Sequence, residues 1–142
     1  MTGKRGKIEH PLRASQQIDF SELRYGNATP SDLDGMLELR NHLFVIIEYK
    51  MANAEPLAGG QRRAIENFTD AILSAGKCPI AIIAEHITPI EIDINAAHSQ
   101  AIEVRWNRKW VDVRERNLSV LDCVNKAYKF AFNESPPTNN NN

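Results

Sequence analysis

Two apolar runs dominate the pattern of the chain. Leu43 to Lys50 reads LFVIIEYK, rich in β-branched and aromatic residues, and Pro79 to Glu85 reads PIAIIAE without a polar interruption. Both predict strands, the second covered on both faces. Asp32 to Leu39 predicts a further strand directly before the first run. Between the runs, Gly60 to Ala75 carries Ile65, Phe68 and Ile72 at helical spacing, with Gly76 as C-cap and Pro79 beyond it. Residues 87–100 are polar with weak preference. Ala101 to Trp106 and Lys109 to Val113 predict a hairpin around Asn107-Arg108. Ser119 and Asp122 have capping-box spacing, and Val120, Leu121, Val124, Ala127, Tyr128 and Ala131 form the apolar stripe of a last helix. This order predicts a sheet with helices on both sides, an α/β or α+β fold.

The 142 residues suit one domain with one core. With 42% hydrophobic and 25% charged residues, the chain is neither wholly disordered nor a coiled coil. No apolar run approaches the roughly 20 residues of a membrane helix. The basic N-terminus lacks the apolar segment of a secretory signal, and Cys78 and Cys123 are too few for a disulfide framework. A cytoplasmic protein with reduced thiols is the expectation. A net charge of −1 gives no basic field over the whole molecule, so positive charge must act locally. Residues 1–17 read as a flexible basic arm, with Lys4, Arg5, Lys7 and Arg13 against Glu9. Residues 18–133 form the single domain. Residues 134–142, prolines then asparagines, read as a disordered tail.

Candidate chemistry lies in the first hairpin. Antiparallel pairing around Arg40-Asn41-His42 sets Leu39 opposite Leu43, Asp34 opposite Glu48 and Asp32 opposite Lys50. Alternation puts these four charged residues on one face and Leu33, Leu37, Val45, Ile47 and Tyr49 on the other, core-facing side. Directly opposed Cβ atoms are about 5 Å apart, and like charges there are destabilising. A shared proton, a neighbouring cation such as Lys50, or a divalent metal would relieve the repulsion. Solvated charges on an edge strand are the plain alternative, against which the run LFVII speaks. Asp34-Gly35 is a strong turn pair, but the segment before it lacks a first strand. Gly35 is therefore expected inside the strand, as a bulge or a point of close packing.

Pro30-Ser31-Asp32-Leu33-Asp34-Gly35, followed by Glu48-Tyr49-Lys50 at the end of an apolar strand, resembles the PD-(D/E)xK nuclease superfamily. The segment Phe20 to Gly35 is also similar to small bacterial and phage proteins with an F-S-x-L-R-Y-G-x-x-x-P-[ST]-D-x-D-G stretch. The resemblance implies a restriction-endonuclease-like mixed sheet in the order α-β-β-α-β, to which a hairpin and C-terminal helix are added here. It also implies a Mg²⁺-dependent nuclease, with Mn²⁺ as substitute, that hydrolyses phosphodiester bonds, with DNA the expected substrate and RNA left open. Asp34 and Glu48 would hold the metal with the Tyr49 carbonyl, and Lys50 would assist the attacking water. Asp32 and Glu22 are further acidic candidates.

Gln61 falls where related nucleases place a helix glutamine, although Ile65 stands where those proteins carry tyrosine. Gln61, Arg62 and Arg63 at a helix N-terminus can hold a phosphate, joined by Lys4, Arg5 and Lys7 of the arm. His86 ends the second apolar run and could face the site; His42 sits at the far end of the hairpin. Trp106 and Trp110, interleaved with Arg105, Arg108 and Lys109, could stack bases or cap the core. The competing expectation is a non-catalytic module that keeps the nuclease fold and binds nucleic acid or protein. A small phosphate ester is a third substrate class, and a homodimer is left open.

Overall fold

A computed structural model describes residues 16–31, 33–53, 57 and 59–138. The chain divides into two compact units, Met1–Ser31 and Asp32–Asn142. In the first, residues 16–31 form turns and no helix, with one antiparallel bridge between Tyr25 and Ala28 across Gly26, whose φ of 62° suits the residue without a Cβ. The helix expected ahead of the first strand therefore has no counterpart among the described residues. The basic arm, with Lys4, Arg5 and Lys7, lies outside them except for its last two residues. So does Asp32.

The second unit is an α+β domain built on one five-stranded mixed sheet in the order β1-β2-β3-β4-β5. Its strands are β1 (Gly35–Leu39), β2 (Leu43–Met51), β3 (Cys78–His86), β4 (Gln100–Trp106) and β5 (Lys109–Asp112). Helix α1 (Gly59–Ser74) links β2 to β3, which run parallel; every other neighbouring pair is antiparallel. A 3₁₀ turn, Arg114–Arg116, leads into α2 (Val120–Phe132). Ser119 and Asp122 cap α2 reciprocally, each side chain accepting from the other's backbone N–H. Gly76, at φ 80°, ends α1.

Two cores lie on opposite faces of the sheet. On one, Leu43, Val45, Ile82 and Val104 meet Val120, Cys123, Ala127 and Tyr128 of α2. On the other, Ile46, Ala81 and Ile83 pack with Ile65 of α1 and with Leu57. β2 and β3 are thus covered on both sides, which is why their sequences run apolar without alternation. Each fully buried aliphatic side chain contributes about 1.5–3 kcal/mol, so the doubly covered strands anchor the domain.

Several expectations are corrected in detail. β1 starts at Gly35 rather than Asp32, because the Asp34 carboxylate takes the Tyr49 backbone N–H and replaces a ladder partner. Gly35 is neither a bulge nor a tight spot: pairing with Ile47 is regular, and an added Cβ would meet the Ile47 Cβ at an ordinary 3.8 Å. Leu33 and Leu37 are exposed rather than core, since β1 is an edge strand with one neighbour. In α1, Thr69 and Ile65 are buried, whereas Phe68 points outward; the Thr69 hydroxyl satisfies itself on the Ile65 carbonyl. Glu134, assigned to the tail, pairs instead with Arg40 at 2.6 Å.

Candidate functional site

The β1–β2 ladder has the register inferred from the loop. Leu39 pairs with Leu43 and Gly35 with Ile47, so Asp34 enters the hairpin beside Glu48. The loop makes this possible: Arg40 and Asn41 both take left-handed φ, near 53° and 52°, and His42 N–H closes on the Leu39 carbonyl at 3.0 Å.

Glu48 is the only acid among the buried side chains of the described residues. Its Oε1 accepts the Asp34 backbone N–H at 3.1 Å, and its Oε2 accepts Gln61 Nε2 at 2.9 Å. The Asp34 carboxylate accepts Tyr49 N–H at 2.8 Å. Each acid is therefore held by the backbone next to the other. Gln61 lies in the first turn of α1, the helix that follows β2 and packs through Ile65 on the Ile46 side of the sheet. Lys50 follows Glu48 on the same face, half-buried, at the register position of Glu85 in β3.

The two carboxylates do not share one pocket wall. Asp34 is exposed at the sheet edge and lines a cavity of about 310 Å³ with Tyr49, His86, Ile94 and Ala96. Glu48 stands under α1. Tyr49 spans the region: its backbone holds Asp34, while its phenol donates to the Ala96 carbonyl at 3.1 Å. Burial, and then the Asp34 charge, push the Tyr49 phenol above its ordinary pKa and keep it a donor. His86 Nδ1 accepts Thr88 N–H at 3.3 Å.

Among the described residues, no group of three or more His, Cys, Asp or Glu side chains is arranged to hold a metal ion. The two carboxylates of the site, Asp34 and Glu48, are linked through the backbone N–H groups of Asp34 and Tyr49. An ionised carboxylate offers about four acceptor sites. Mg²⁺ is commonly bound through one or two carboxylates, with water and phosphate filling its other positions, and Asp34 and Glu48 are donors of that type.

The remaining candidates separate. Arg62 is engaged: it pairs with Glu103 at 2.7 Å and lies 4.5 Å over the Trp110 ring. Arg63 is exposed beside it. Trp106 packs on the α2-side core and meets Phe130 edge-on at 5.1 Å. Trp110 packs on the opposite core and donates from Nε1 to Glu66 at 3.0 Å. Both tryptophans are core caps. His42 stacks near Phe132, at the other end of the hairpin. Glu22 is exposed in the first unit. The cavity with Ile94 and Ala96 had no signal in the sequence, because residues 87–99 hold their positions without regular structure.

No family model matches this chain, and no curated protein or solved structure is significantly similar to it.

Proposed function

We propose that this protein is a Mg²⁺-dependent nuclease that hydrolyses phosphodiester bonds, in DNA. The observation that carries the reading is the interlock of Asp34 and Glu48, each bound to the backbone beside the other, with Gln61 on the second Glu48 oxygen. Glu48 is buried with both oxygens accepting hydrogen bonds, and a buried carboxylate is kept where its charge is used or compensated.

In this reading the Asp34 carboxylate, which lines the cavity with Tyr49 and His86, would turn toward Glu48 for the two to hold the cation, and Gln61 fixes the Glu48 rotamer. A divalent cation held by Asp34 and Glu48 would supply Lewis-acid polarisation of a phosphoryl oxygen and a hydroxide near neutral pH. Lys50 contributes positive charge where the phosphate gains negative charge in the transition state. Arg63 at the start of α1 offers a backbone contact whose strength falls with salt.

Plasmid nicking tests the proposal. The wild type is expected to nick only with Mg²⁺ or Mn²⁺, and Glu48→Gln, Asp34→Ala and Lys50→Ala each to lose at least 100-fold in rate, a loss of roughly 3 kcal/mol of transition-state stabilisation. Glu48→Gln keeps the side-chain shape, so circular dichroism should match the wild type. Binding of nucleic acid without cleavage under any divalent metal would instead establish a non-catalytic module on the same fold.

A further inference from the structure

On the α2 side of the sheet lies an open apolar groove of about 340 Å³. Val104 and Val113 floor it, and the edge-on pair Trp106 and Phe130 walls one side. Arg116 and Lys126 are its only charged lining residues, and both are exposed. The groove therefore suits something apolar that carries negative charge.

Elsewhere the same unit exposes a feature of matching chemistry. After β3, a turn closes with Ile92 N–H on the Pro89 carbonyl at 3.0 Å. It lifts Ile90 to 96% exposure, with Glu91 next to it and Ile92 and Asp93 following, all exposed. Exposed apolar side chains clustered between acids mark an interaction surface rather than ordinary solvated loop. None of residues 87–99 lines the groove. The basic arm of residues 1–17 has the wrong sign of charge for a groove edged by Arg116 and Lys126.

We propose that the groove receives the Ile90–Glu91 turn of a second copy of this chain. Ile90 fills the apolar floor, and Glu91 and Asp93 meet Arg116 and Lys126. Because turn and groove are separate features of one chain, two copies can exchange turns reciprocally and close as a dimer. The proposal is independent of nuclease activity.

Sedimentation velocity over a dilution series tests it on the full chain, with circular dichroism as the folding check. The wild type is expected to dimerise reversibly. Arg116→Glu with Lys126→Glu, and separately Glu91→Lys with Asp93→Lys, should each weaken association roughly tenfold or more, since like charges then face each other. All four substitutions are at exposed positions, so each variant should fold. An equimolar mixture of the two variants should restore association, because reversed groove and reversed turn again attract. Ile90→Asp should also dissociate the dimer. A wild type that stays monomeric throughout, a dimer unchanged in both charge-reversed variants, or a mixture that fails to associate would each overturn the proposal.

Discussion

Gln61, in the first turn of α1, donates from Nε2 to Oε2 of Glu48 at 2.9 Å. The bond ties the helix that follows β2 back to that strand's own buried acid. The crossover therefore does two things at once: it covers the Ile46 face of the sheet and fixes the direction of the carboxylate. Coupling of this kind places a charged group on a rigid strand rather than on a loop, as a precise site requires.

Gln61→Ala removes the donor from a desolvated carboxylate oxygen. Hydrogen bonds to charged groups are worth about 1.5–3 kcal/mol, so urea titration should show unfolding free energy lowered by that amount. Nicking should fall as well, with the larger effect on kcat, because the metal-holding rotamer is lost before substrate binds.

Arg62 and Arg63 should separate into structural and ligand-facing roles. Arg62→Ala loses the Glu103 pair and the Trp110 contact, and should destabilise by about 1 kcal/mol. Arg63→Ala should leave stability within roughly 0.5 kcal/mol. It should instead reduce the salt slope of DNA binding by about one, the signature of one lost phosphate contact. Equal slopes for wild type and Arg63→Ala would remove Arg63 from the interface.

Burial pushes both thiols, Cys78 and Cys123, above their ordinary pKa; at Cys123 the Asp122 charge adds to the effect. A raised native pKa means that the folded state holds its proton longer than the unfolded chain. Stability from this source is full below the unfolded thiol value near 8.5 and is lost as pH rises through the higher native one. Urea midpoints measured from pH 7 to 10 should decline above about pH 8.5, and the decline should flatten in the Cys78→Ala, Cys123→Ala double variant. Both thiols should resist alkylation until the protein unfolds.

The sheet was legible where physics is local. LFVII and PIAIIA are apolar on both faces because helices cover both faces, and Ser119 with Asp122 announced the cap of α2. The hairpin register followed from the length of the Arg40–His42 loop alone. Two kinds of feature escaped. The end of β1 depends on a side chain, Asp34, competing with backbone for the Tyr49 N–H, which strand propensity does not encode. Phe68 has the helical spacing of a core residue, yet the sheet meets α1 through Ile65 and Thr69, a choice made by packing across the layer. At the site, the ladder as far as Gly35 and Ile47, which brings Asp34 beside Glu48, was readable from the loop. The turn of the Asp34 carboxylate toward Tyr49 and His86 was not, because the irregular loop with Ile94 and Ala96 completes that cavity.

The most direct measurement is anomalous diffraction from crystals of the wild type soaked in Mn²⁺. We expect one strong peak bonded to carboxylate oxygens of both Asp34 and Glu48, at roughly 2.0–2.3 Å, and its disappearance in Glu48→Gln. A fully soaked crystal with no peak between these two side chains, or with a peak that survives Glu48→Gln unchanged, would contradict the assignment of this pair as a metal centre.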